Sequence, residues 1–341
     1  MKKKTLVGCV CVLLVTVLLL GFLQELLMPK YQTVSREGSL TAEYYLEDDP
    51  DHDVLFVGDC EVYEGFTPPT LWEEYGISSY VRGSAQQLAW QSYYLLEETL
   101  RYETPKIVVY NVLALKYGKP QNEAYNRMTL DGMKWSSSKV DAILASMTKE
   151  ESFASYVFPL LRFHSRWREL GTEDLTHLFS HDALSHNGYL MQTGVKPKAE
   201  SDVTVNALAD YTLPQTAMEY LDRMRLLCEE NGIELILIKA PTNNWKYHWY
   251  DEWDAQIVDY AALHGLAYYN FIPLCEEIGI DWQTDTYDGG AHLNVYGAEK
   301  LTSYFGAILC NRHGLQSRQN EPALSALWQQ KLARYYAERN Q

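Results

Sequence analysis

The chain has few positive charges and few cysteines. Its 341 residues include 29 Lys and Arg against 45 Asp and Glu, a net charge of −16. In residues 29–341 the balance is 26 to 44, so we do not expect nucleic acid as a partner, because binding it depends on cations that neutralise phosphates. The six cysteines form no CxxC pair and no metal-type spacing, which argues against a disulfide framework and a structural metal site.

Internal repeats and low-complexity tracts are also lacking. With 47% apolar and 22% charged residues, the composition is that of a folded globular protein. Only one long apolar run is present, from Leu6 to Leu23, and it follows Lys2, Lys3 and Lys4. One large domain behind a short N-terminal segment is therefore expected.

The apolar run predicts a single transmembrane helix. Eighteen residues rising ~1.5 Å each cover about 27 Å, close to a hydrocarbon core of ~30 Å. The lysines should stay in the cytoplasm and place the rest of the chain outside the cell membrane, as in a bacterial envelope protein. A cleaved signal peptide is the alternative, but the run is longer than usual and no small-x-small site follows it. We assign 1–28 to the cytoplasmic N-terminus and anchor, and 29–52 to a tether.

Apolar segments that end in turn residues predict five strands. They are Val54 to Gly58, Ile77 to Gly83, Lys106 to Val112, Ile233 to Pro241 and Leu266 to Phe271. Helical patterns between them, such as Gln86 to Tyr102 and Pro214 to Asn231, predict an α/β fold with a parallel sheet. In such folds, function lies in the loops at the carboxyl ends of the strands.

The predicted α/β domain covers 53–315 and contains an insertion at about 115–213, too long for a simple crossover. Within it, Val140 to Met147 and Ser155 to Leu170 are predicted helices. Such an insertion commonly forms a lid or a recognition surface. Residues 316–341 are predicted to be mainly a C-terminal helix that packs on the domain or on a partner.

Four local motifs occur in or near the predicted strand ends. Gly58-Asp59-Cys60-Glu61 follows the first strand, Arg82-Gly83-Ser84 ends the second, Tyr110-Asn111 ends the third, and Asp288-Gly-Gly-Ala-His292-Leu-Asn lies near the carboxyl terminus. A side chain at a helix start, backbone N–H groups and a histidine paired with a carboxylate are the parts that acyl transfer needs.

Together these motifs resemble the SGNH (GDSL-type) hydrolase superfamily over roughly residues 53–309, without the insertion. The resemblance implies a three-layer α/β/α, flavodoxin-like fold and no metal or organic cofactor. It implies that Cys60 is the nucleophile, that the Cys60 and Gly83 N–H groups and the Asn111 amide form the oxyanion hole, that His292 is the base, and that Asp288 orients it.

Two departures from the family pattern stand out. Cys60 replaces the usual serine, and three residues instead of two separate Asp288 from His292, which leaves Asp285 as an alternative orienting carboxylate. A thiol near a helix start is readily ionised and can attack an acyl carbonyl to form a thioester. A catalytically lapsed binding protein, a cysteine introduced in place of a natural serine, and an unrelated flavodoxin-like binding module remain alternatives.

With its single N-terminal span, outer domain and mid-chain insertion, the chain most resembles the envelope subgroup of the superfamily, which includes the DltD type and polysaccharide O-acetylation partners. The resemblance implies an esterase or O-acyltransferase that acts on teichoic acid or a polysaccharide. It also implies a multi-pass membrane acyltransferase as the partner that supplies the acyl group. A scaffold for such an acyltransferase or glycopolymer is the other interpretation.

Further residues are candidates for substrate recognition. They are Asp59, Glu61, Tyr63, Arg82, Arg127 and Trp135, with Arg162, His164 and Arg166 of the insertion. Packing for the aromatic side chains and a solvated face for the charged ones is the simpler interpretation of most of them.

Overall fold

A parallel sheet of five strands forms the centre of the protein. The computed structural model describes residues 2–28, 39–47, 50–179, 183–197, 207–243 and 249–340. The strands are β1 Val54–Gly58, β2 Ser79–Gly83, β3 Ile107–Asn111, β4 Glu234–Lys239 and β5 Ala267–Asn270. Their order is β2-β1-β3-β4-β5, which is the order of flavodoxin-like doubly wound folds. The predicted α/β fold with a parallel sheet is confirmed.

Helices surround the sheet. In chain order they are α1 Lys2–Leu27, α2 Ser39–Glu43, α3 Cys60–Tyr63, α4 Pro68–Tyr75, α5 Ala89–Thr99, α6 Glu123–Leu130, α7 Ser137–Ser146, α8 Phe153–Val157, α9 Leu160–Phe163, α10 Thr172–His177, α11 Gln215–Glu230, α12 Asp251–His264, α13 Cys275–Ile278, α14 Val295–His313 and α15 Pro322–Arg339. Short 3-10 helices occupy Tyr44–Leu46, Val112–Lys116, His164–Arg168 and Ile272–Leu274.

The two faces of the sheet are covered by different helices. Leu55 and Val57 of β1 belong to a core that includes Leu95 of α5 and Met224 of α11. Val54 and Phe56 belong to a second core with Phe305 of α14 and Leu71 of α4. Because side chains alternate along a strand, a strand buried on both faces must be apolar throughout, as VLFVG is. The three layers are helix, sheet and helix.

The insertion is helical, but one of its predicted helices is wrong. The segment predicted as continuous from Ser155 to Leu170 is instead α8, α9 and the 3-10 helix His164–Arg168. Pro159 stands between α8 and α9, where its ring and missing N–H disrupt the preceding turn. The other prediction, Val140 to Met147, corresponds to α7.

Helix α1 is long and apolar enough to cross a membrane, with a mean hydropathy of 3.0 over its most apolar part. Half of the predicted tether, namely 29–38 and 48–49, lies outside the described residues, as does 198–206 of the polar part of the insertion. At the other end, the predicted C-terminal helix is present as α15, and its Trp328 stacks on Trp72 of α4 with ring centres 5.3 Å apart.

Candidate active site

Cys60 lies at the end of β1, where the chain turns from the strand into α3. Asp59 is the residue before the helix, and its carboxylate accepts a hydrogen bond of 3.2 Å from the Glu61 N–H. Cys60 is therefore the first residue of α3, and its thiol lies at the carboxyl edge of the sheet between β2 and β3. This edge is the topological switch point at which doubly wound folds place their sites.

Three side chains from distant parts of the sequence form a hydrogen-bonded chain at this edge. Nε2 of His292 lies 3.0 Å from Sγ of Cys60. Nδ1 of the same ring lies 2.6 Å from Oδ2 of Asp288. The structure thus joins the predicted nucleophile, base and orienting carboxylate in the geometry of a catalytic triad.

The extra residue between Asp288 and His292 is accommodated by two glycines. Gly289 and Gly290 have φ values of +89° and +91°, which residues with a Cβ rarely adopt. The loop folds back so that Oδ1 of Asp288 accepts from the backbone N–H of His292 at 2.9 Å. The alternative carboxylate, Asp285, is occupied by Lys300 at 2.6 Å. Asp288 is therefore the carboxylate that orients the imidazole.

The charges of the three groups depend on one another. Burial of the sulfur raises the pKa of the Cys60 thiol, and the imidazole of His292 offsets only part of that increase. Burial disfavours the imidazolium, but the Cys60 thiolate and the Asp288 carboxylate outweigh it and raise the pKa of His292. The pKa of Asp288 is lowered because its bonds to His292 outweigh its burial. The contacts with Asp288 and Cys60 thus favour a protonated imidazole, whereas burial disfavours the thiolate.

Glu64 is a further residue of the site that sequence analysis missed. Its Oε2 lies 3.8 Å from Nδ1 of His292, and Tyr287 donates to both its oxygens at 3.0 and 2.9 Å. Burial raises the pKa of Glu64 to about 7, although His292 and Tyr287 partly counter this. The available signal was its position four residues after Cys60, since that spacing puts two residues on one side of a helical turn.

We expect Glu64 to make stability depend on pH. Its folded pKa of about 7 exceeds its ordinary value of 4.5, so the stability it contributes is complete below pH 4.5 and is lost as the pH rises through about 7. Glu64→Gln stays neutral at every pH and does not lose this stability. The Tm of the variant minus the Tm of the wild type should therefore increase by roughly 3–6 °C between about pH 5 and pH 8. Thermal unfolding at both pH values measures the shift.

The matched control for that experiment is Glu230→Gln, because Glu230 is exposed near the end of α11. Its Tm should follow that of the wild type at both pH values. A Tm difference between Glu64→Gln and wild type that stays the same at both pH values would show that Glu64 does not titrate in this range.

Two of the three predicted oxyanion-hole donors, the N–H groups of Gly83 and Cys60, lie at or beside the end of β1 that leads to the thiol. Gly83 pairs with Gly58 in the register of β1 and β2, directly beside the strand end that leads into Cys60. A Cβ on Gly83 would lie 3.1 Å from the Gly58 carbonyl oxygen and 3.2 Å from Cβ of Tyr63, contacts tight enough to favour glycine at this position. The Cys60 N–H is at the first residue of α3, as predicted.

Asn111 is placed as predicted at the end of β3, but its amide is engaged elsewhere. Its Nδ2 donates to Oδ1 of Asp59 at 3.1 Å and to Oε2 of Glu61 at 2.9 Å. Its Oδ1 accepts from the Ala240 N–H at 3.1 Å. Both amide hydrogens are thus directed to the carboxylates of Asp59 and Glu61, the acidic residues on either side of Cys60 in the GDCE motif. The amide is therefore not directed at the expected oxyanion position.

A buried ion pair lies next to the nucleophile. Nζ of Lys239, whose side chain is fully buried, lies 2.9 and 2.7 Å from the two oxygens of Glu61. Burial and the nearby Glu61 raise the pKa of Asp59 to about 6. Sequence analysis missed Lys239, although a lysine that ends the otherwise apolar run of β4 signals a paired charge. Asp59 and Glu61, predicted as substrate contacts, thus belong to an internal polar network.

Two arginines predicted as substrate contacts are buried in the protein interior. Arg82 donates to the Thr41 carbonyl at 2.9 Å and lies 3.5 Å from Glu98. Arg127 is bound by Glu123 and Asp131 on or next to its own helix, at 2.8 and 3.1 Å. Both guanidinium groups thus serve structural ion pairs.

The remaining candidates are spread over the helix start and the insertion. Tyr63 is buried in α3, and Trp135 is exposed beside Lys139 in the insertion. Arg162 and His164 are exposed on or next to α9, and Arg166 binds Asp174 at 3.0 Å. None of these five candidates makes a described hydrogen bond or ion pair with the side chain of Cys60 or His292.

The site can therefore hold a thiol, a base and an orienting carboxylate in line, next to backbone N–H groups at a helix start. Among the described residues, no group of three or more His, Cys, Asp or Glu side chains is arranged to hold a metal ion. No protein-family model matches the chain, and no curated protein matches its sequence significantly.

Proposed function

We propose that the chain is a membrane-anchored SGNH-type esterase or O-acyltransferase that works through a thioester on Cys60. The observation that carries this proposal is the chain of contacts from Cys60 to His292 to Asp288, at 3.0 and 2.6 Å. A thiol and an imidazole can meet by chance, but a carboxylate on the other ring nitrogen is the additional contact that holds a catalytic histidine in place. The order of the motifs along the chain supports the same family.

In the proposed reaction, Nε2 of His292 removes the thiol proton as Sγ attacks the carbonyl carbon of an acyl ester. The negative oxygen of the tetrahedral intermediate faces the N–H groups of Cys60 and Gly83. Collapse breaks the ester C–O bond, and the departing alkoxide takes the proton from His292. The acyl group remains on sulfur as a thioester.

The second half of the proposed reaction returns the enzyme to its starting state. His292 removes a proton from an acceptor hydroxyl or from water, and that oxygen attacks the thioester carbonyl. Collapse breaks the C–S bond, and the thiolate recovers the proton from the imidazolium. Water as acceptor gives hydrolysis, and a sugar or polyol hydroxyl gives acyl transfer.

The proposed location is the outer face of a cell membrane, and the proposed substrate is an acyl ester of an envelope glycopolymer. Lysines in the first turn of α1 and no basic residue in its last turn favour a cytoplasmic N-terminus. The family resemblance supplies the teichoic acid or polysaccharide substrate and a multi-pass membrane acyltransferase as the partner that delivers the acyl group.

A second candidate function is that of a binding protein without turnover. Both amide hydrogens of Asn111 are engaged by carboxylates, and burial raises the pKa of the Cys60 thiol. Either feature would weaken catalysis. Esterase turnover gained by Cys60→Ser, and absent from the wild type, would favour this candidate.

Covalent chemistry at Cys60 is tested by intact-protein mass spectrometry after exposure of the full chain to an activated acyl ester. We expect one acyl adduct on the wild type and none on Cys60→Ala. Cys275→Ala is the matched control, because Cys275 is also partly exposed and lies outside the triad. An equal adduct on Cys60→Ala, or none on the wild type, would contradict the proposal.

A further inference from the structure

The insertion exposes an unusual number of large apolar side chains over a short stretch of chain. Phe158, Leu161, Trp167, Leu175 and Phe179 are each between 53% and 87% exposed. We call these five residues the interfacial face. Isolated exposed apolar residues are common, but such a concentration indicates an interaction surface.

The helices that carry the interfacial face are fixed to the end of the apolar helix. Helix α1 packs against α9, the 3-10 helix His164–Arg168 and α10. Arg166 donates to the Leu27 carbonyl at 2.8 Å and also binds Asp174 of α10 at 3.0 Å. Leu27, the last residue of α1, is only 7% exposed as a result.

This attachment determines the level of these helices relative to a bilayer. The 26 residues of α1 extend about 39 Å, which exceeds a hydrocarbon core of ~30 Å. When α1 spans the membrane, its last turns therefore lie among the lipid headgroups. The helices that hold Leu27 lie at the same level.

The composition of the segment fits this position. Residues 158–168 read FPLLRFHSRWR, with three arginines and no acid, within an outer region of net charge −18. Arg162 binds Glu123 and Arg166 binds Asp174, so Arg168 is the arginine of this segment without a described carboxylate partner. Arg168 is exposed and lies 5.0 Å from the ring centre of Trp167. Aromatic rings together with arginines are typical of side chains in the headgroup layer of anionic membranes.

We propose that the interfacial face inserts into the headgroup layer of the same bilayer that α1 crosses. The occupant of this surface is anionic lipid, and the face and α1 together fix how the catalytic domain lies on the membrane. The proposal rests on the membrane-spanning part of the proposed function and is independent of the chemistry at Cys60.

The test uses the purified full chain in liposomes of phosphatidylcholine and phosphatidylglycerol, with Leu161→Cys and Trp167→Cys as labelling sites. Leu263→Cys is the matched control, since Leu263 is 78% exposed on α12. Relative to this control, a membrane-impermeant maleimide should label the two interfacial cysteines about tenfold more slowly in liposomes, and at similar rates after detergent is added. The wild type gives the background from native cysteines.

Labelling at the control rate in liposomes would overturn the proposal. If the same sites are protected in native membranes but not in liposomes, a protein partner covers the face, and the proposal is also overturned. Retention of the protein in membranes after alkaline washing tests the span separately, and the adduct assay tests Cys60. Failure of each part is therefore distinguishable.

Discussion

Replacing His292 with alanine is expected to slow acylation of Cys60 by an activated ester by roughly 10²–10⁴-fold near neutral pH. Among the described contacts, the imidazole of His292 is the base that reaches the thiol, with Nε2 3.0 Å from Sγ. The substitution removes this base. Burial raises the pKa of the thiol, so without the imidazole it stays protonated and poorly nucleophilic. Mass spectrometry of quenched time points gives the rate.

A pH series separates loss of the base from loss of structure. Acylation of His292→Ala should recover as the pH rises, because hydroxide then ionises the thiol. His264→Ala, on α12 beside Tyr260, should react like the wild type. Equal rates for His292→Ala and the wild type would show that His292 does not activate Cys60.

The strands of the sheet were predictable because their signals are local. A strand buried on both faces must be largely apolar, so VLFVG and KIVVYNV were predicted as strands from composition alone. Once the strands are parallel, their carboxyl ends meet at one edge, and Cys60 and Asn111 fall there by topology. The pairing of Cys60 with His292 was expected from the family resemblance, and membership of that family stays a prediction.

The polar network was not predictable, because it depends on which groups meet across the fold. Asn111, at the end of β3, donates to Asp59 and Glu61 on either side of Cys60, and Lys239 reaches Glu61 from β4. No sequence spacing connects these residues. The break at Pro159 was signalled by the proline itself, and the apolar pattern around it masked that signal.

Lys239→Met is expected to have the largest effect on stability, lowering the free energy of unfolding by about 3–5 kcal/mol. The side chain of Lys239 is fully buried and that of Glu61 is 3% exposed, so removing the cation leaves a carboxylate uncompensated in the interior next to Asp59. Methionine fills a similar volume, which limits the contribution of lost packing. Urea unfolding of the full chain in mild detergent, followed by circular dichroism, measures the change.

Two variants identify the cause of that loss. Lys106→Met removes the cation of another pair, Lys106–Asp53, but this lysine is 60% exposed and Arg318 stays 3.7 Å from the Asp53 carboxylate, so the cost should be about 1 kcal/mol. Glu61→Gln combined with Lys239→Met removes both charges and keeps an oxygen for Asn111, so it should recover part of the stability. If the double variant is less stable than Lys239→Met alone, the unpaired carboxylate is not what destabilises the single variant, and the packing of Lys239 carries the effect instead.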